Sequence, residues 1–193
     1  GEVHEALNFA AVQRLPVVFV IQNNQVALGT HLSQHHRSAD FSGWGAAYGM
    51  PAHGVDGNNV LDVHAAAVEA VAECREGRGP VMILAETFRM GGHATHDERE
   101  ARQMMSPDLF QRWGRRDPVG QYEEYLAHLG RPLAPAGVEQ GPSEDAVQWN
   151  RSLMRAVEAE VIQEVDTAET VALESREASV PEAGLHEDLE CYG

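Results

Sequence analysis

Lysine is missing from this chain: all 14 basic residues are arginine, set against 30 acidic residues and a formal charge of −16. Such a surface repels polyanions, so neither nucleic acid nor an anionic membrane is an expected partner. The absence of lysine, with abundant Ala, Gly, Val and Glu, reads as the coding bias of a GC-rich source. Cysteine is nearly absent too. Cys74 and Cys191 are too few and too far apart for a disulfide framework or a thiolate metal centre, and a reducing cytoplasm is the expected compartment. Long apolar runs are lacking: the longest, residues 17–21 and 81–85, fall far short of the roughly 20 residues that span a bilayer. The chain has no initiating methionine and enters a helical pattern at Gly1, which reads as the carboxyl-terminal part of something longer. Its 193 residues suffice for one sizeable core.

What is present is organised around PVVFVIQNNQV, residues 16–26. Five consecutive apolar residues without polar alternation predict a strand buried on both faces, as in a parallel sheet covered by helices. Before it, Val3, Leu7, Ala10, Ala11 and Val12 recur at helical spacing until Pro16 stops the pattern. Residues 27–37 read as a loop with three histidines, and residues 38–48 as a short helix closed by Gly49 and Pro51. A short strand at residues 53–55 runs into Asp56, Gly57, Asn58 and Asn59, a turn cluster suited to cap the next helix, residues 60–75. That helix carries Leu61, Val63, Ala67, Val68, Val71 and Ala72 on its expected buried face, and Gly77, Gly79 and Pro80 stop it. Residues 81–88 read as a third buried strand. Strands alternating with helices in this way predict a parallel α/β sheet with flanking helices.

Beyond Ser106 the pattern becomes helical. Pro107 and Asp108 open one helix, Asp117 and Pro118 begin another through Leu129, residues 131–142 form a Pro/Gly-rich linker, and residues 143–179 form a long helix. Its apolar positions include Val147, Leu153, Val157, Val161, Val165 and Leu173. The expected division is residues 1–130 as the α/β part and residues 131–193 as linker and helical tail. From residue 134 onward, 14 acidic residues face only three arginines, so the outer face of this tail is anionic.

Three groups of residues offer chemistry. Ligands in open α/β sheets bind beyond the carboxyl ends of strands. Asn23 and Asn24 stand there, and an amide oxygen suits magnesium; on spacing alone, an asparagine pair after a strand is more often a turn. His93 follows Gly91 and Gly92 beyond the third strand, four residues after Arg89, where close backbone approach and charge-assisted donors favour a phosphate. His96, Asp97 and Glu98 read as a solvated crossover. His31, His35 and His36 form a rival constellation for zinc and a hydrolase, without an HExxH pattern or a carboxylate at useful spacing. Trp44, Trp113 and Trp149 read as core or interface aromatics, and Cys74 as an apolar helix residue.

Together, HEALNFAAVQRLPVVFVIQNNQVAL, VDGNNVLDVHAAAVEAV, EGRGPVMILAETFR, GGHATHD and RRDPVG resemble the alpha subunit of the thiamine-diphosphate-dependent 2-oxo-acid dehydrogenase component, the family of pyruvate, branched-chain 2-oxo-acid and acetoin dehydrogenases. The resemblance runs along most of the chain. Its first segment looks like the second half of the thiamine-diphosphate motif, whose Gly-Asp-Gly half is absent here. It implies a thiamine-diphosphate-binding fold, incomplete at its amino end. It also implies that Asn24 is the side-chain ligand of Mg2+, that Val26 gives the ion a backbone carbonyl where the family usually has tyrosine, and that Arg89 and His93 reach the cofactor, with His93 at the reacting centre.

The implied reaction is that of an oxidoreductase with a lipoyl disulfide as acceptor: the thiazolium ylide attacks a 2-oxo acid, carbon dioxide leaves, and the acyl unit passes to a lipoyl group. The implied partners are a beta subunit, in an α2β2 assembly that supplies the activating glutamate, and the lipoyl domain of a dihydrolipoyl acyltransferase. With half the motif absent, the chain by itself is expected to be inactive. Ala94 stands where mammalian relatives carry a phosphorylatable serine, and Ala101 where the family often has tyrosine. An acetoin dehydrogenase alpha subunit and a non-catalytic degenerate subunit or interaction fragment are the alternatives within this resemblance.

Overall fold

Pro16 separates the first helix from the first strand, and this punctuation repeats through the amino-terminal two thirds of the chain. The computed structural model describes residues 1–134 and 145–179, apart from Ala39, Thr95, His96, Glu98, Glu100, Ala101 and Met104. Two compact units divide it, Gly1–Tyr122 and Glu123–Gly193.

In the first unit, α1 (Glu2–Gln13) leads into β1 (Val18–Asn23), followed by a small hairpin of β2 (Val26–Ala27) and β3 (Thr30–His31). The helices α2 (Leu32–His35) and α3 (Gly43–Ala47), the strand β4 (Ala52–Asp56), α4 (Val60–Arg75) and β5 (Val81–Glu86) complete the α/β part. Two further helices follow, α5 (Pro107–Gly114) and α6 (Pro118–Ala127), of which Glu123–Ala127 belong to the second unit. The expected cap of α4 holds, and α5 has a cap as well. Asn59 accepts from the Leu61 and Asp62 amides at the start of α4, and Ser106 accepts from the Asp108 amide at the start of α5. The stretch expected as a loop, residues 27–37, contains the hairpin and α2, because the turn residue Leu28 takes a left-handed backbone (φ 52°) and reverses the chain after only two residues.

The three long strands form a parallel sheet in the order β1-β5-β4. This is the expected α/β architecture of a parallel sheet between helices. On one face Val55, Val81, Ile83 and Ala85 pack under Ala66, Ala70 and Cys74 of α4. On the other, Met82 and Leu84 pack with Leu7 of α1 and Met50, joined by Phe19, Ile21, Phe41 and Trp44. The central strand β5 is therefore the one buried on both faces.

β1 departs from expectation. It lies at the sheet edge, and while Phe19 and Ile21 face the α1 side, Val20 on the opposite face is 63% exposed. Apolar continuity had pointed to two covered faces; α4 lies over β4 and β5 and leaves Val20 bare. The face of α4 is also corrected. Its buried stripe is Ala66, Ala70 and Cys74, with Val63 and Ala67 beside it, whereas Leu61 and Val68 are exposed. Small side chains at four-residue spacing let the helix lie close to the sheet. On α1, likewise, Leu7 and Ala10 are buried but Val3 and Val12 are exposed.

In the second unit, α7 (Ala146–Ser179) begins three residues later than expected, and residues 135–142 of the expected linker, with Ser143 and Glu144 of the expected helix, lie outside the described residues. Asn150 is fully buried here. Its amide nitrogen donates to the carbonyls of Leu126 (2.8 Å) and Arg131 (3.1 Å), and its oxygen accepts from the Leu133 amide (2.7 Å). The Trp149 indole donates to the Leu133 carbonyl at 2.9 Å. Val157, Val161, Val165 and Leu173, expected to bury one face of the long helix, are exposed. No helix among the described residues is long and apolar enough to cross a membrane. Cys191 lies outside the described residues.

Candidate functional site

The three parallel strands end in step. Asn23 of β1, Glu86 of β5 and Asp56 of β4 are Cα partners across the sheet, so an amide and two carboxylates stand in one row at its carboxyl edge. Beyond that row the chain stays zipped: the Thr87 amide donates to the Asn23 carbonyl (3.0 Å), the Arg89 amide to the Asn24 carbonyl (3.2 Å), and the Gly57 amide to the Glu86 carbonyl (2.8 Å). The three loops that leave the sheet are thereby held against each other.

Asn24 lies in a turn, as the spacing favoured, and the turn has a definite geometry. Its side-chain oxygen accepts from the Val26 amide at 3.1 Å, while Gln25 between them takes a left-handed backbone with φ 71°. Hydrogen-bonded and free pairs alternate in an antiparallel ladder. The Leu32 amide donates to the Gln25 carbonyl at 2.8 Å, so the next pair, Val26 with His31, is a free one. The Val26 carbonyl consequently turns away from β3, toward the edge on which the Asn24 oxygen sits. The Val26 side chain is buried with Phe88, Met105 and Trp113, which anchors this carbonyl from behind.

These two oxygens fit part of a magnesium shell. Both are hard and neutral, and an amide oxygen that accepts one hydrogen bond keeps a second lone pair. Among the described residues, no group of three His, Cys, Asp or Glu side chains is placed to hold a metal. The donor set therefore supplies two positions of an octahedral shell whose others suit phosphate and water oxygens.

Arg89 is half-buried at the foot of the same edge. Its Nε donates to the Gly91 carbonyl at 3.1 Å and its Nη2 to the Leu28 carbonyl, which ties the loop after β5 to the β2–β3 hairpin. Among the described residues, two of its five N–H groups are used in this way. His93 is exposed on that loop and makes no hydrogen bond to Asn24 or Val26 among the described residues. His96, Glu98 and Ala101 lie outside the described residues.

The rival histidines are dispersed into local roles. His31 caps α2 by accepting from the Ser33 amide, and His36 bonds the Ser38 carbonyl and packs its ring 4.7 Å from Phe41. The tryptophan and cysteine readings hold: Trp113 is buried against Phe88 with ring centroids 6.0 Å apart, and Cys74 is a buried α4 residue.

Sequence reasoning missed Glu86 and Gln25. The Asn23 amide nitrogen donates to both Glu86 carboxylate oxygens, at 2.9 and 3.0 Å, and the Gln25 amide nitrogen donates to one of them at 2.8 Å. The one signal available was a lone carboxylate closing an otherwise apolar strand. Asp56 and Arg116 were missed as well. They pair at 2.7 Å, with the Arg116 guanidinium 4.5 Å above the Trp113 ring, beside a cavity of about 370 Å³ floored by Gly54 and Leu84.

A family model described as "Dehydrogenase E1 component" matches residues 1–172. Among curated proteins, the chain is 42% identical over 130 residues to the 3-methyl-2-oxobutanoate dehydrogenase subunit alpha of Mycobacterium tuberculosis, covering 67% of this chain and 35% of that protein. It is 40% identical over 131 residues to the pyruvate dehydrogenase E1 component subunit alpha of Rhizobium meliloti, covering 67% and 37%. To the mitochondrial 2-oxoisovalerate dehydrogenase subunit alpha of Caenorhabditis elegans it is 37% identical over 131 residues, covering 67% and 30%. The matched region spans about a third of the length of these relatives.

Proposed function

The chain belongs to the dehydrogenase E1 component family, and on that premise we propose that it is the metal- and cofactor-holding part of a 2-oxo-acid dehydrogenase alpha subunit. The proposed activity is oxidative decarboxylation of pyruvate or a branched-chain 2-oxo acid, with transfer of the acyl unit to a lipoyl group. Relatives named for both substrate classes support this range. The observation that carries the reading is the Asn24 turn, which puts a side-chain amide oxygen and the Val26 carbonyl on one edge at the carboxyl end of a parallel strand.

When bound, thiamine diphosphate supplies the carbon nucleophile and electron sink for loss of carbon dioxide. The residues of this chain do the holding. Asn24 and Val26 would each give an oxygen to Mg2+, whose charge would offset that of the diphosphate. Arg89, at the foot of the same edge, would donate to that anion and fix its orientation. His93, on the exposed loop after β5, would donate to the diphosphate and move a proton at the substrate. The remaining metal and diphosphate contacts come from outside this chain's described residues. A beta subunit in an α2β2 assembly and the lipoyl domain of an acyltransferase complete the proposed system, in the cytoplasm.

The test is reduction of an artificial electron acceptor by the complete chain co-expressed with its beta subunit, with thiamine diphosphate, Mg2+ and a panel of 2-oxo acids plus acetoin. Cofactor-dependent turnover that is lost in Asn24→Ala supports the reading and names the substrate class. A folded complex that turns over none of them overturns it.

A further inference from the structure

We propose that Glu86 is the positioning residue for the two metal oxygens, setting the geometry of the Asn24 turn without touching the ion. This inference rests on the magnesium reading of Asn24 and Val26. The observation behind it is a clamp across the sheet edge. Glu86 accepts from the Asn23 amide nitrogen at 2.9 and 3.0 Å and from the Gln25 amide nitrogen at 2.8 Å, so one carboxylate grips the residues on either side of Asn24. Gln25 also donates to the Asn23 carbonyl at 3.3 Å, and the Asn23 side-chain oxygen accepts from the Gln25 amide at 3.3 Å, which closes the turn into a ring of contacts.

The clamp has a definite burden to carry. Gln25 has φ 71°, a left-handed backbone that a residue with a Cβ adopts only when its surroundings enforce it. If Gln25 relaxes to a right-handed or extended conformation, the Val26 amide leaves the Asn24 oxygen and the Val26 carbonyl turns off the edge. Nothing local to residues 23–26 supplies a charged anchor; the anchor comes from β5, 61 positions away in sequence from Gln25. A carboxylate accepting from neutral amides also gives stronger hydrogen bonds than a neutral acceptor would. Glu86 is held in place in turn, since its own carbonyl takes the Gly57 amide at 2.8 Å.

The experiment uses the complete chain co-expressed with its beta subunit and compares wild type with Glu86→Ala and Glu86→Gln by amide hydrogen exchange and by Mn2+ binding in the presence of thiamine diphosphate, followed through electron paramagnetic resonance. The Val26 and Leu32 amides report on the turn, and the Val81 amide, bonded to the Val17 carbonyl at 3.0 Å, reports on the sheet. In Glu86→Ala the two turn amides exchange at least about tenfold faster, Val81 is unchanged and the Mn2+ affinity falls by about the same factor. Glu86→Gln keeps one acceptor oxygen and falls between. Unchanged exchange at Val26 in both variants overturns the proposal, as does unchanged Mn2+ affinity alongside a turn that has opened. Faster exchange with no Mn2+ binding even by the wild-type assembly overturns the metal reading, and with it the assignment of Glu86 to that ion, while leaving the clamp as a feature of the fold.

Discussion

The Gly57 amide donates to the Glu86 carbonyl at 2.8 Å, and a Cβ added to Gly57 would stand 2.8 Å from that same oxygen. Glycine is required here by close approach to β5. The contact stitches the loop after β4 to the central strand, beside the Thr87 hydroxyl, which donates to the Asn58 side-chain oxygen at 2.6 Å. Gly57→Ala should force backbone against backbone and cost about 1–3 kcal/mol. Chemical denaturation of the purified chain measures this, and an unaltered midpoint would show that the loop has room that the geometry denies.

Asn24 has two separable duties, the turn and the proposed metal oxygen. Removing its side chain in Asn24→Ala deprives the Val26 amide of its 3.1 Å partner, worth about 1 kcal/mol for a half-buried neutral bond. Asn24→Asp keeps an acceptor in the same position, so it should restore stability to within about 0.5 kcal/mol of wild type. Paired thermal melts settle the matter: equal losses in both variants would mean that the Val26 bond contributes nothing.

Asn150 of the second unit is fully buried and satisfies carbonyls of Leu126 and Arg131 and the amide of Leu133. A leucine of similar size would strand these backbone groups without water. The expected loss for Asn150→Leu is about 3 kcal/mol. It should appear as accelerated hydrogen exchange at the Leu133 amide, with the β5 amides of the first unit unaffected. Protection retained at Leu133 would contradict this assignment.

Among the described residues, Asp40 carries the pH effect that the geometry singles out. Its carboxylate accepts from the Ser42 backbone amide at 2.8 Å and from the Ser42 hydroxyl at 2.8 Å, and these bonds, the backbone one first, hold its pKa below the usual aspartate value. Because the folded value lies below the unfolded one, the contribution to stability is present above the unfolded pKa and is lost as pH falls through the folded pKa. Carboxyl-carbon NMR titration should find Asp40 depressed in the wild type. In Ser42→Ala it should rise only part of the way back, because the backbone bond remains. A Ser42→Ala titration that coincides with the wild type would remove the hydroxyl from the account.

Much of the fold was legible because its signals are local. Pro16, the Asp56–Asn59 cluster and the Gly77 to Pro80 stop each act within a turn of where they stand. Asn59 does cap α4, and β5 is buried on both faces as its run of apolar residues implies. The same reasoning failed for β1, whose composition resembles that of β5 but whose position at the sheet edge leaves Val20 bare. Composition records that a strand can be covered; it does not record which strands receive a helix. On α4 the larger residues Leu61 and Val68 drew attention, while the alanines and Cys74 form the contact, because close packing on a sheet rewards small side chains.

The candidate site divides in the same way. The sequence by itself determined the order of strands and helices and the presence of an asparagine turn after β1, since a turn is decided by residues that are chain neighbours. Only the tertiary structure decided that β5 lies between β1 and β4, and so that Glu86 meets Asn23 across 63 positions of sequence. Strand order and register follow from how the α1 and α4 faces share the sheet, a competition among distant surfaces that no short stretch of residues encodes.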